Sequence, residues 1–147
     1  MTVELSNKSE YALLALLRLA DHACTGEPLQ IRQIAAEEGI PDRYLEQLLA
    51  MLRRAGFIKS QRGAKGGYLL AREPWKIDVL QIVACIEGLD HKSSLTKSKP
   101  LSAEGTVIRN IWREARQAAD LVLSRYTLQD LIDQRNAKSQ LNLMYYI

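Results

Sequence analysis

Apolar positions recur at helical spacing along most of the chain and switch to a strand-like pattern only between Phe57 and Ala71. The first stretch, Ser6–Cys24, predicts a helix that is apolar around most of its circumference through Leu13, Leu14, Leu16, Leu17, Ala20 and Cys24. Such a helix belongs at the centre of a core. Ser6 or Asn7 is expected to cap it, Glu10 standing three residues after Asn7 to complete a capping box. Thr25-Gly26-Glu27-Pro28 ends it with turn residues. A short helix over Ile31–Glu38 follows, with Ile31, Ile34 and Ala35 on one face and Gly39 supplying the left-handed stop. The third helix runs from about Asp42 to Ala55 on a stripe of Leu45, Leu48, Leu49 and Leu52.

Two helices joined by a tight glycine-containing turn form the helix-turn-helix pattern, shared with many helix pairs that bind nothing. The next segment narrows the reading. Gly56 ends the third helix, Phe57–Gln61 reads as a strand, Arg62-Gly63-Ala64-Lys65-Gly66-Gly67 as a turn, and Tyr68–Ala71 as the returning strand. A basic, glycine-rich hairpin directly after a helix-turn-helix is the winged-helix layout. The expected fold is mainly α with a small two-stranded β wing: a winged helix-turn-helix plus a long C-terminal dimerisation helix.

Asp78 is placed to cap a fourth helix that packs through Val79, Ile82, Val83 and Ile86. Gly88–Leu101, rich in Ser and Lys, reads as a polar loop. A helix from about Ser102 to Tyr126 should be roughly 35 Å long at 1.5 Å per residue. Along it Ile108, Ile111, Ala115, Ala118 and Val122 recur by three and four, a seam on which two copies could pair, the alanines allowing close approach. Thr127 and Asp130 cap a short last helix to about Asn136; the tail 141–147 alternates weakly, leaving strand and frayed end both open. The expected division is a DNA-binding domain over 1–77, then a linker helix, sensor-position loop and dimerisation helix over 78–147.

Composition sharpens this picture in one respect. The 147 residues are 47% apolar and 25% charged, ordinary for a globular protein, and the net charge is only +3. From Arg43 to Lys76, however, Arg43, Arg53, Arg54, Lys59, Arg62, Lys65, Arg72 and Lys76 face only Glu46 and Glu73. A local basic excess on a near-neutral chain suits one surface to a polyanion. Met1–Asn7 lacks the pattern of a leader, and the apolar run Tyr11–Ala20 is broken by Arg18, so no membrane span is expected. Cys24 and Cys85 form no CxxC pair, which fits reduced thiols in a cytoplasmic protein.

The exposed face of the third helix carries the first candidate chemistry. Arg43, Gln47, Ala50 and Arg54 lie opposite the leucine stripe at 100° per residue. Long hydrogen-bonding side chains there suit a major groove about 12 Å wide, where Arg pairs with guanine and Gln with adenine. Glu46 has two readings that remain open: a hydrogen-bond acceptor for cytosine, or an intrahelical partner for Arg53 or Arg54. Arg62 and Lys65 stand where the wing can reach a phosphate or the minor groove. A phosphate-cradling nucleotide loop is excluded, because Tyr68 and a strand follow the glycines where Lys-Ser/Thr and a helix are required. His22 and His91 are the only histidines and no HExxH, GxSxG or metal-type cluster occurs, so no catalytic residue, metal ligand or cofactor is assigned. Cys85 reads as a core residue.

Three segments, Leu5–Leu13, Tyr44-Leu45-Glu46-Gln47-Leu48 and Arg62-Gly63-Ala64-Lys65-Gly66-Gly67-Tyr68-Leu69-Leu70, together resemble the Rrf2 family of winged-helix regulators. The resemblance runs from about Leu5 to Asn136. It implies a homodimer whose long C-terminal helices cross, with each recognition helix and wing on one half-site. It also implies that Arg43, Glu46, Gln47 and Arg62 read or position DNA; Arg43 replaces a smaller residue of some members. The sensor region departs from the pattern. The three cysteines of cluster-binding members fall at Ser94, Pro100 and Thr106, a histidine ligand falls at Arg109, and only Glu10 matches an acidic ligand of some members. A cluster built on thiolates is therefore not expected. The function expected is a sequence-specific DNA-binding regulator, a homodimeric repressor on a palindromic operator that answers to a small-molecule or protein effector. The alternative is a winged-helix protein-interaction module with DNA binding weak or lost.

Overall fold

Ser6 holds extended geometry and its Oγ accepts the Ser9 amide at 3.2 Å, which starts helix α1 (Asn7–His22). Ser6 rather than Asn7 is thus the cap. The computed structural model describes residues 6–95 and 102–145. In it α1 is the central element, packed against α2 (Ile31–Glu38), α3 (Asp42–Arg54), α4 (Val79–Leu95) and α6 (Leu128–Tyr145). Ala12, Ala15 and Ala20 of α1 are buried beside Leu16 and Leu19, so small side chains let the surrounding helices approach. Gly39 ends α2 at φ 66°, the left-handed conformation that only glycine adopts freely. Leu45, Leu48, Leu49 and Leu52 of α3 are all at most 2% exposed. Each contributes about 1.5–3 kcal/mol relative to exposure, enough to fix which face of α3 is left outside.

Strands β1 (Ile58–Gln61) and β2 (Gly67–Leu70) form an antiparallel hairpin in which Ile58 pairs with Leu70 and Gln61 with Gly67. A second stitch holds the hairpin to the body. The Leu29 amide donates to the Tyr68 carbonyl at 3.0 Å, and the Tyr68 amide returns a bond to the Leu29 carbonyl at 2.7 Å. After a single 3-10 turn at Pro74–Lys76, Val79 N donates to Tyr126 O (3.0 Å) and Leu128 N to Ile77 O (2.8 Å), so the chain crosses itself once, the segment just before α4 pairing with the segment just before α6. Ile77 and Leu128, both fully buried, fill that crossing. Thr127 and Asp130 cap α6 reciprocally: Asp130 N donates to Thr127 Oγ1 at 3.2 Å and Thr127 N to Asp130 Oδ2 at 2.8 Å.

Two expected boundaries are overturned. The segment from Gly88 is not a loop throughout, because α4 continues to Leu95. Glycine inside a helix costs about 1 kcal/mol against alanine and does not by itself end one; the remainder of that segment, 96–101, lies outside the described residues. The last helix runs to Tyr145, not Asn136. Ala137, Lys138, Gln140, Leu141 and Met144 are good helix formers, and no Gly or Pro intervenes to stop them. The long helix α5 (Ala103–Ser124) opens at Ser102, whose Oγ accepts the Gly105 amide at 3.2 Å.

Candidate nucleic-acid interface

The outer face of α3 and the wing present the expected residues to solvent. Arg43, Glu46, Gln47, Arg54, Arg62 and Lys65 are all exposed, and none forms an ion pair among the described residues. The intrahelical partner considered for Glu46 is therefore not made. Arg53 donates instead to Ser60 Oγ at 3.4 Å, tying the end of α3 to β1. Arg54 stands about 16 Å along α3 from Arg43. Its Nε reaches the Ala50 carbonyl at 3.4 Å, and its charge is felt by the Cys85 thiol on α4. Arg43 and Gln47 are thus the long side chains of the first half of α3, and Arg54 belongs to the end that meets α4.

The start of α3 is held against α1. The Tyr11 and Tyr44 rings meet edge to face at 5.7 Å between centroids, next to Arg43. The start of α1 is in turn held to α4, where Glu87 Oε1 accepts from Ser9 Oγ at 2.9 Å and from Ser6 Oγ. On the other side, the Arg18 guanidinium bonds Glu38 and lies 3.5 Å from Glu37, joining α1 to α2; the Glu38 hydrogen bond raises the Arg18 pKa. The helix-turn-helix is therefore braced at both ends.

The wing glycines follow from geometry. Gly63 has φ 118°, where a side chain is strained. A Cβ on Gly66 would lie 2.2 Å from the Gln61 carbonyl oxygen, inside the turn closed by Gly66 N to Gly63 O at 2.9 Å. Gly67 meets Leu29 at the body stitch. Between the wing and the start of α2 lies an open cleft of ≈ 430 Å³ whose lining includes Gln30, Arg32, Gln61, Arg62 and Tyr68. Arg32 is the residue sequence reasoning missed: it precedes the basic run counted from Arg43, and only the Leu29–Tyr68 stitch brings the first turn of α2 beside the wing. Here two guanidiniums border one groove, an arrangement that attracts phosphate.

The helix α5 has no buried residue. Ile108, Ile111 and Val122 are 57, 55 and 48% exposed, and Ala115 and Ala118 are exposed with them. The expected seam is thus an uncovered apolar stripe.

Helix-turn-helix, stitched wing and projecting long helix define a winged helix-turn-helix transcription regulator. The chain belongs to the Rrf2 family, whose profile, described as iron-dependent transcriptional regulator, matches residues 5–134. It is 33% identical over 143 residues to the transcriptional regulator CymR of Bacillus subtilis, covering 97% of this chain and 99% of that one. It is 36% identical over 132 residues to the protein Rrf2 of Nitratidesulfovibrio vulgaris, covering 88% and 87%. Its fold is similar to solved structures of IscR from T. potens (TM-score 0.73, 36% identity, 90% and 88% covered) and of CymR, the global cysteine regulator of B. subtilis (TM-score 0.72, 34%, 91% and 98%). These relatives are regulators and not enzymes, and so is this chain. No helix among the described residues is long and apolar enough to cross a membrane.

The iron dependence in the family description can be tested against the donor set. The chain has two cysteines, both free: Cys24 is exposed just beyond α1, and Cys85 is half-buried in α4 with Sγ 3.8 Å from the Met51 carbonyl. Thr106 spends its hydroxyl on the Ser102 carbonyl at 3.1 Å, and Arg109 is a cation. Ser94 has no described side chain, and Pro100 lies outside the described residues. Hydroxyls, proline and a guanidinium do not substitute for thiolates around iron and sulphide. The residues present do not fit an iron–sulphur cluster.

Proposed function

We propose that the protein binds an approximately palindromic DNA operator as a homodimer and represses by occupying it. Arg43 and Gln47 enter the major groove, with Glu46 beside them selecting against bases that offer it no donor. Arg62 and Lys65 on the wing, joined by Arg32, hold the backbone or minor groove, and Arg54 extends the contact toward the far end of α3. The observation that carries this reading is the Leu29–Tyr68 stitch, which sets a basic wing beside a helix-turn-helix whose outward cations have no ion-pair partner among the described residues. The homodimer rests on the uncovered stripe Ile108, Ile111, Ala115, Ala118 and Val122. A two-fold dimer places half-sites about one helical turn or a multiple apart.

Residues 1–77 would read DNA, and 78–147 would carry dimerisation and input. Both share one hydrophobic core, from Ala12 to Leu128, so a change around α4 is felt by α1 and α3. With no cluster ligands, the input is a small molecule or a protein effector in the cytoplasm. Sequencing fragments retained from random duplex DNA, then measuring affinity against salt, tests the reading. A palindromic consensus with log K falling steeply against log salt is expected; affinity without sequence preference or salt slope would sink it.

A further inference from the structure

We infer that Glu87 is a positioning residue for DNA reading: by holding the first turn of α1 through Ser6 and Ser9, it sets where the start of α3, with Arg43 and Gln47, lies. This rests on the DNA-binding reading above and adds to it a residue that touches no DNA. Among the described residues Ser9 is the only buried polar side chain, 1% exposed. Packing does not ask for a serine there: Ala12, Ala15 and Ala20 fill the other small buried positions of α1, and alanine is the better helix former. A buried hydroxyl needs a partner, and Ser9 Oγ donates to Glu87 Oε1 at 2.9 Å. Ser6 Oγ donates to the same oxygen while accepting the Ser9 amide at 3.2 Å. The cap that starts α1 is therefore also its tie to α4. Replacing such a cluster by apolar groups of the same shape is often near neutral in stability, so what the polar cluster adds is directional placement.

The tie bears on one end of α3. Cys85 and Glu87 stand about 200° apart around α4. Cys85 Sγ lies 3.8 Å from the carbonyl of Met51, in the second half of α3, whereas Glu87 faces the start of α1. The first half of α3 meets that part of α1 through the Tyr11–Tyr44 contact, two residues from Ser9 and next to Arg43. Tyr44 and Met51 are about 10 Å apart along the helix, so a shift of the first turn of α1 tilts α3 about its far end and moves Arg43 and Gln47 most. Hydrogen bonds to base edges carry the discrimination between bases, and their geometry tolerates only a few tenths of an ångström. The wing is fastened elsewhere, at Leu29–Tyr68, and phosphate contacts carry no sequence information. Glu87 thus bears on which base is read and not on how firmly the backbone is held.

Anisotropy titrations of the full chain test this on three duplexes: the one selected from random DNA, a copy changed at one base pair of each half-site, and an unrelated sequence. Glu87→Ala should cut the preference for the selected duplex over the changed copy at least threefold, while affinity for the unrelated duplex stays within twofold. Loss of folded protein would lower all three together. Glu87→Gln keeps an acceptor for both hydroxyls and should retain the preference. Ser9→Ala should lower it in the parent chain but not further in Glu87→Ala. Arg135→Ala removes the bonds to Asp21 at 2.9 and 2.8 Å, near the opposite end of α1, and should leave the preference unchanged. Circular dichroism checks that each variant is folded; if Glu87→Ala is not, Ser9→Ala alone decides. Undiminished preference in the deciding variant would overturn this inference alone, as would equal loss in Glu87→Gln or Arg135→Ala. A parent protein that prefers no duplex would instead remove the DNA-binding reading, and this one with it.

Discussion

Gly67 and Leu29 leave no space between them: a Cβ on Gly67 would sit 2.4 Å from the Leu29 carbonyl oxygen, at the bridge that fastens the wing to the body. The contact is backbone on both sides, so no side chain can yield. Gly67→Ala should break the pair of bonds between Leu29 and Tyr68 and free the hairpin. Hydrogen exchange at those two amides should accelerate by at least tenfold while the α1 core stays protected, and operator affinity should fall. Unchanged exchange would show that the stitch is not what holds the wing.

Operator binding should divide by contact type. Gln47→Ala is expected to cost about 1–3 kcal/mol at one base position if bidentate there. Arg32→Ala should weaken all sequences alike and reduce the salt slope, and Arg62→Ala should do the same if it contacts phosphate but weaken binding selectively if it reads a base in the minor groove. Anisotropy titrations at several salt concentrations separate the two behaviours. Wild-type affinity in all three variants would refute the proposed interface.

Ala118→Glu sets like charges against each other across the proposed α5 crossing. The dimer should dissociate at micromolar concentration without loss of helix content, because α5 has no buried residue in its own chain. Operator affinity should fall with it, as two half-sites can no longer be held together. Analytical ultracentrifugation with circular dichroism is the check.

The two thiols should differ in reactivity. Burial pushes the Cys85 thiol above its ordinary range, with Arg54 pulling more weakly the other way. A raised pKa means less thiolate at any given pH, and Cys85 is also half-buried, whereas Cys24 is exposed. Iodoacetamide near pH 7.5 should modify Cys24 first, with Cys85 gaining rate only as pH rises further. Peptide mass spectrometry over a pH series would show the order, and faster labelling of Cys85 would contradict it.

Anaerobic reconstitution with iron and sulphide should yield no stoichiometric cluster, because the family's ligand positions offer no thiolate. Cluster absorbance that disappears in Cys24→Ser or Cys85→Ser would reveal a ligand set assembled between copies.

What was legible in the sequence is what short-range chemistry decides. The leucine stripe of α3 names its buried face, the spacing of Gly63, Gly66 and Gly67 demands a tight hairpin, and Thr127 and Asp130 satisfy each other's amides within one turn. The α5 stripe is likewise periodic, but that its own chain leaves it uncovered is visible only in the fold. Helix ends without a strong stop were not legible. Gly88 and the polar residues after Asn136 do not stop a helix, so α4 and α6 run on where the pattern suggested a loop and left the tail open between a strand and a frayed end. Only the tertiary structure could place Arg32 beside Arg62, or Glu87 beside Ser9. Those neighbours are far apart in the chain, and which side chains meet depends on how the buried faces of α1, α3 and α4 pack, not on any local preference.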